Sequence, residues 1–220
     1  GPRAVLRGHE STVVCLAFSP DDSLLASAGK DRSICLYRCA ESSSSHCATL
    51  LVHPKAHRRI IWDLAWSPDG SVLGSVSRDG SFKLWTVASD ESSSSSQLFC
   101  QASVEAHAGC SLTALHATLD LGQPSCSLWA IGCESGEISL WNHAQGSEKA
   151  PLHLHTTSSD NSHGSSIRCL RWRPLRNSAS DTNTLSLQLA SASDDHCIRV
   201  YAVSMRNAQQ GSSGGIAGTA

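Results

Sequence analysis

Apolar and polar residues alternate through short stretches of this chain, as in STVVCLAF, IIWDLAW, SLTALHA and SSIRCLRW, and no stretch carries a helical period. Alternation with a period of two sends successive side chains to opposite faces of an extended strand. Each stretch is followed by a second run that is more continuously apolar (LLASAG, VLGSVS, LWAIGC, LQLASAS). A turn rich in Asp, Ser or Gly comes next, then a third run that closes on an aromatic, as in SICLY, SFKLW, EISLW and CIRVY. A fourth extended run precedes the next copy. The four predicted strands of one copy are called a to d.

The copies keep register. His9 and His57 each stand 22 residues before an aspartate, Asp31 and Asp79, and the aromatics Tyr37 and Trp85 follow six residues later. The third and fourth copies open at His107 and His163 and keep the six-residue step, Ser135 to Trp141 and Asp195 to Tyr201. Their first halves are lengthened by the polar insertions LGQPSC and RNSASDTNTL. Four short antiparallel strands repeated every ~40 to 55 residues predict an all-β propeller with four blades present.

The serine runs 42–45 and 92–96 fall between strands c and d, so every insertion lands on the rim formed by the a–b and c–d loops. The other rim, built from the d–a and b–c loops, is kept short. Residues 1–203 read as repeats, with AVLR at 4–7 a d strand of a preceding or closing blade, and the Gly/Ser-rich 204–220 as a disordered tail. The last blade then has no d strand of its own. The one methionine is Met205, so the chain reads as a piece of a longer polypeptide.

Composition narrows the function classes. With 16% charged residues and a formal net charge of -2, no global field draws the chain to nucleic acid or an anionic membrane. Its ten cysteines include no CxxC pair and sit mostly in strand-like runs, which fits buried free thiols in a reducing compartment better than zinc or disulfides. No glycosylation sequon, secretory h-region or apolar run approaching 18 residues occurs, so neither a secreted nor a membrane-spanning protein is expected.

The recurring Ser, His and Asp invite comparison with a hydrolase triad. One set per blade points instead to hydrogen-bond satisfaction, and no nucleophile elbow, P-loop or HExxH motif accompanies it. His153 and His155 have metal-ligand spacing without a third ligand nearby, and read as strand residues. Arg168, Arg171, Arg173 and Arg176 could meet phosphates, but strand alternation splits them between faces. Neither a catalytic residue, a metal, a cofactor nor a small-molecule substrate is expected.

These motifs resemble the WD40 family, whose blades use a His, a Ser or Thr, an Asp and a Trp as a buried relay. The matching residues are His9, Ser27, Asp31 and Tyr37; His57, Ser75, Asp79 and Trp85; and His163, Ser191, Asp195 and Tyr201. The third copy has Ile131 and Ser135 where Ser and Asp belong, which predicts a poorly tethered His107 and the loosest blade. By the same resemblance, partner contacts fall three and five residues after the histidine and just before the turn Asp. These are Thr12, Val14 and Lys30; Ile60, Trp62 and Arg78; and Ser166, Arg168 and Asp194. Trp62 is either an interface anchor or core between blades. WD40 rings usually have seven blades, so four imply an open part of a larger ring.

Some strings are more specific. AHRRIIWDLAWSPDG with SRDGSFKLW, IGCESGEISLW, and IRCLRWRP with SDDHCIRVY resemble, in this order, the C-terminal repeats of the Elongator complex protein 2 family, from about residue 5 to 203. The resemblance implies a non-catalytic subunit with two propellers. Such a subunit helps join a large scaffold subunit to a catalytic radical-SAM/acetyltransferase-like subunit that modifies wobble uridines of tRNA, in the cytoplasm and the nucleus. Direct tRNA contact by this chain is expected to be weak. HESTV and LAFSP-like strings also occur in the WD40 subunit of cytosolic iron-sulfur cluster assembly, which with ubiquitin-ligase adaptors forms the alternative.

Overall fold

The computed structural model describes residues 5–39, 48–89, 96–107, 109–119, 126–144, 146–147, 149–173, 185–205 and 216–217. No helix occurs among them. Four antiparallel sheets of four strands follow one another along the chain. The first holds β1 (Val13–Phe18), β2 (Leu24–Gly29), β3 (Ile34–Arg38) and β4 (Ala48–His53). The second holds β5 (Ile61–Trp66), β6 (Leu73–Ser77), β7 (Ser81–Ser89) and β8 (Ser96–Glu105). The third holds β9 (Leu112–Leu119), β10 (Cys126–Cys133), β11 (Ile138–Ala144) and β12 (Leu152–Thr156). The fourth holds β13 (Ile167–Trp172), β14 (Leu185–Ser193), β15 (Ile198–Met205) and β16 (Ile216–Ala217). Two compact units divide the chain, Gly1–Leu112 with Glu148–Ala150, and Thr113–Ser147 with Pro151–Ala220.

Two boundaries differ from the sequence reading. Val5, Leu6 and Arg7 are not a strand; the Arg7 carbonyl instead accepts a bond from Thr49 Oγ1 at 3.2 Å. The stretch after residue 203 is not wholly a tail, because β15 runs to Met205 and Ile216–Ala217 pairs with Ala202 and Val203. The last blade therefore gains a short d strand from residues with no strand-like pattern of their own. Unpaired donors on β15 supply the reason, since an open edge accepts any extended backbone. The serine run 42–45, residues 92–95 of the second run, and nearly all of both a–b insertions lie outside the described residues.

The a–b turns show how a short sequence dictates geometry twice. Ser19 donates to Asp21 Oδ1 at 2.5 Å and accepts from the Leu24 amide at 2.9 Å, while Ser23 Oγ donates to Asp21 Oδ2 at 2.7 Å. Ser67, Asp69, Ser71 and Val72 repeat this set at 2.5, 3.0 and 2.7 Å. Both turns need a left-handed residue, Asp22 at φ 58° and Gly70 at φ 73°.

Strands b and c of the first three blades are buried almost throughout, and within each unit two blades share a core. Ile34, Leu36, Ile61, Leu64, Trp66 and Leu73 share one core, and Ile138, Leu140, Ile167, Leu170, Trp172 and Leu189 another. The same polar tie closes both junctions. Trp66 Nε1 donates to the Ala17 carbonyl at 3.1 Å, and Trp172 Nε1 to the His116 carbonyl at 3.2 Å. The first and fourth sheets each keep an apolar pair in solvent where inner sheets bury theirs. Leu16 and Phe18 are 63% and 60% exposed against buried Leu64 and Trp66, and Ile198 and Val200 are 77% and 51% exposed against buried Ile138 and Leu140.

All four b–c turns close alike, with Arg32, Gly80, Gly136 and His196 at φ 69°, 80°, 90° and 66°. The third blade's turn is as well formed as the others, its Gly136 amide donating to the Cys133 carbonyl at 3.2 Å. At Gly136 a Cβ would lie 2.0 Å from the His163 carbonyl oxygen. Gly136→Ala is expected to destabilise the protein by about 3 kcal/mol or more, from backbone clash and left-handed strain together. Gly164→Ala, with open space at its Cβ, is the control; chemical denaturation of both variants is the check.

His116 gives a pH signature. Its Nδ1 accepts from the Trp172 amide at 3.2 Å, so the ring must be neutral there. Burial, then the Arg171 charge, pushes its pKa down from 6.5 to about 4. The folded value lies below the unfolded one, so the contribution is whole above 6.5 and is lost as pH falls toward 4. Denaturation midpoints of His116→Asn against wild type should show a flatter decline across that window; an unchanged slope would remove His116 from this role.

Candidate functional site

Three of the four blade histidines sit in complete relays. His9 Nε2 lies 2.6 Å from Ser27 Oγ and Nδ1 2.8 Å from Asp31 Oδ2. His163 repeats this with Ser191 at 2.7 Å and Asp195 at 2.8 Å. In the second blade one hydroxyl is inserted: His57 Nε2 meets Ser75 Oγ at 2.6 Å, Nδ1 meets Ser81 Oγ at 2.9 Å, and Ser81 Oγ donates to Asp79 Oδ1 at 2.5 Å. Asp79 itself stays 3.4 Å from the ring. Sequence reasoning missed Ser81 because position alone does not say which of two nearby acceptors a ring nitrogen will face.

Donor counting fixes the direction of this chain. Ser81 Oγ gives its hydrogen to Asp79 and so accepts from His57 Nδ1–H; in the neutral ring Nε2 then accepts from the Ser75 hydroxyl, whose oxygen also accepts from Trp85 Nε1 at 2.8 Å. Burial lowers the His57 pKa, and Asp79 only partly offsets it, which agrees with a neutral ring. Burial tends to raise the Asp79 carboxyl, yet the nearby His57 ring and bonds from the Ser81 hydroxyl and the Ser81 and Arg58 amides hold it well below the usual carboxylate range. Asp195 is pulled to about 2: burial opposes the change, while His163 and the Cys197 and Gly164 amides outweigh it.

Tyrosine in the Trp position alters the relay. Tyr201 donates to the Asn161 carbonyl at 2.9 Å and so pins the loop ahead of His163. Tyr37 is buried at the matching place in the first blade, and burial raises its phenol pKa. In the third blade Ile131 is buried without a hydroxyl, so Trp141 Nε1 turns to Ser139 Oγ at 2.9 Å. Ser135 bonds Cys133 Sγ at 3.0 Å and Glu137 at 3.1 Å rather than forming a relay. His107, expected to be poorly tethered, is half-buried and is not left without an interaction.

The triad-like geometry is not an accessible nucleophile. Ser27, Ser75 and Ser191 are all buried, and Ser75 is committed to both His57 and Trp85. What the relays do is tie each d–a loop to the b–c turn, with Asp31, Asp79 and Asp195 also accepting from the amides of Glu10, Arg58 and Gly164.

That tie positions the rim. The Lys30, Arg78 and Asp194 amides donate to the Thr12, Ile60 and Ser166 carbonyls at 3.0, 2.9 and 3.0 Å, so each candidate contact set is one bonded unit. Strand a is bulged at one place in all three blades, between Val13 and Cys15, Ile61 and Asp63, and Ile167 and Cys169. The extra residues are Val14, Trp62 and Arg168. A bulge bends its strand and re-aims the bulged side chain. Trp62 is half-exposed and stands outside the buried core. Thr12, Lys30 and Arg78 are exposed, Val14, Ile60 and Ser166 half-buried.

The remaining basic and histidine candidates disperse. Arg168 grips Asp194 through Nε at 2.7 and 2.8 Å and its terminal nitrogen at 2.5 Å, Arg171 donates to the Leu170 carbonyl, and Arg173 to Gln188. Arg176 lies outside the described residues. His153 bonds Thr156 at 2.8 Å and stacks edge-on with Trp141, while His155 pairs across from Leu140 in the strand.

Ser75→Ala should lower stability by about 1 to 3 kcal/mol, since it strands the His57 Nε2 and the buried Trp85 N–H together. Urea denaturation measures it, and a neutral shift would mean the relay carries no net stability.

The WD40 family, described as WD domain, G-beta repeat, matches residues 1–38, 47–86 and 154–202, more than half of the chain. Elongator complex protein 2 of Schizosaccharomyces pombe is 48% identical over 59 residues, 27% of this chain and 8% of that protein. Elongator complex protein 2 of Dictyostelium discoideum is 29% identical over 209 residues, 90% of this chain and 22% of that protein. The chain thus spans under a quarter of the length of these relatives. Saccharomyces cerevisiae Sqt1, a solved structure, superposes with a TM-score of 0.62 at 14% identity over 88% of this chain and 46% of its own, which bears on fold alone. The chain belongs to the WD40 repeat family, a β-propeller family, and its repeats resemble those of Elongator complex protein 2.

Proposed function

We propose that this chain is a non-catalytic scaffold segment of an Elongator-type complex, supporting the assembly that modifies wobble uridines of tRNA. The observation that carries the reading is the likeness to Elongator complex protein 2 along some nine-tenths of the chain. Physical chemistry supports it: the polar relays are spent on holding loops, and the rim they hold carries a half-exposed Trp62 and an exposed Arg78, residue types enriched in interface hot spots. The exposed Leu16, Phe18, Ile198 and Val200 are seats for further blades, as a seven-bladed ring requires. The partners are then the large scaffold subunit and the catalytic subunit, in the cytoplasm and also the nucleus, with the tRNA chemistry belonging to the partner.

Affinity purification of the full-length parent, wild type beside Arg78→Glu, followed by mass spectrometry, tests this. Recovery of the other Elongator subunits with wild type and their loss with the variant is expected. Iron-sulfur assembly factors or a ubiquitin ligase in their place would keep the scaffold and overturn the Elongator assignment.

A further inference from the structure

Two blade junctions are built from the same parts. Between the first and second blades, Cys15, Ala26, Ala28, Ile34 and Leu36 pack against Leu64, Trp66, Leu73 and Trp85. Between the third and fourth, Ala114, Ala130, Ile138 and Leu140 pack against Leu170, Trp172, Leu189 and Tyr201. One side of each junction has small residues on strands a and b and branched ones on strand c. The other side has two leucines and two aromatics. The small side leaves room for the large one, and an indole N–H closes each seam on the carbonyl of Ala17 or His116.

The chain carries each side once more, facing solvent. In the fourth blade Cys169 pairs with Ala192, Ala192 with Ile198 and Ala190 with Val200. In the first, Cys15 pairs with Ala28, Ala28 with Ile34 and Ala26 with Leu36, so the fourth blade repeats the small side residue for residue. Its Ile198 and Val200 are exposed. The large side recurs in the first blade. Phe18 pairs with Leu25 and Leu25 with Tyr37, as Trp66 pairs with Leu73 and Leu73 with Trp85, and Leu16 stands where the second blade has Leu64. Leu16 and Phe18 are exposed. The two open sides also depart from the closed ones together. Phe18 lacks the N–H that ties the other seams, and Arg171, exposed, stands opposite Ala190 where Ala17 stands opposite Ala26. A guanidinium over a phenyl ring supplies an attraction that needs no donor on the ring.

We infer that the fourth blade of one copy of this chain docks on the first blade of a second copy. Leu16 and Phe18 of the second copy enter the side formed by Ala190, Ala192, Ile198 and Val200, with Arg171 against the Phe18 ring. A second copy is the occupant because the chain presents, uncovered and in matching register, both halves of an interface that it already forms twice. The contact is head-to-tail, so pairing leaves one side open on each copy unless the assembly closes on itself. This rests on the reading of the exposed pairs as blade seats, and its test does not pass through the complex.

Sedimentation velocity of the full chain, 23.3 kDa, over a wide range of concentration is the test. Phe18→Glu disables the large side and leaves the small one intact, and Val200→Glu does the reverse. Wild type is expected to associate as concentration rises, and each variant alone to sediment as a monomer. Mixed in equal amounts, the two variants are expected to form a one-to-one dimer through the single junction left intact. Arg171→Glu should weaken wild-type association by about tenfold. All three side chains are exposed, so denaturation midpoints of the dilute variants should match wild type. A chain that stays monomeric at every concentration leaves the open sides to other blades and overturns the inference. So does association that persists in either variant alone, or a mixture that stays monomeric. Self-association without recovery of Elongator subunits in the purification would sink the assembly reading alone, and recovery with a monomeric chain would sink this one alone.

Discussion

An imidazole buried in a protein must have both ring nitrogens satisfied, and this chain meets that demand by linking His9 and His163 to a strand-b serine on one side and a turn aspartate on the other, and His57 to Ser75 and, through Ser81, to Asp79. The loop entering a blade is thereby tied to the turn between its second and third strands. Turn amides bind the same carboxylates, so one acidic group orders two loops at once. The turn carboxylates of the rim are used up internally.

Rigidity and surface chemistry are then connected. Aspartates locked into relays are unavailable to neighbouring cations, and the first two blades keep unpaired arginine and lysine where a looser surface would have paired them. Where a blade does carry a spare acid, as Asp194, it captures Arg168 at once. A rim that is frozen and charged has little ordering entropy to lose when a partner arrives, which is the physical advantage of a propeller as a docking scaffold.

The blades also show how one repeat tolerates different residues. Trp85 donates to Ser75, Tyr201 reaches a loop carbonyl, and Trp141, facing Ile131, bonds Ser139 two residues away in its own strand. Each aromatic keeps its apolar body in the core and finds some acceptor for its polar end. The third blade abandons the relay but retains its turn, since Gly136 supplies the backbone conformation that the turn needs.

Sequence alone determined the strand content, the four-blade count, the register of the first two copies and the His, Ser and Asp of the first and fourth relays, because strand alternation and turn chemistry are local and recur at fixed spacing. Tertiary structure decided the rest. Ser81 enters the second relay because of side-chain distances set by packing, and Trp62, Val14 and Arg168 are singled out by a bulge that depends on pairing with the next strand. Ile216–Ala217 becomes a strand only because β15 offers an open edge. Such features belong to pairs of segments distant in sequence, and no pattern within one segment encodes which partner it will meet.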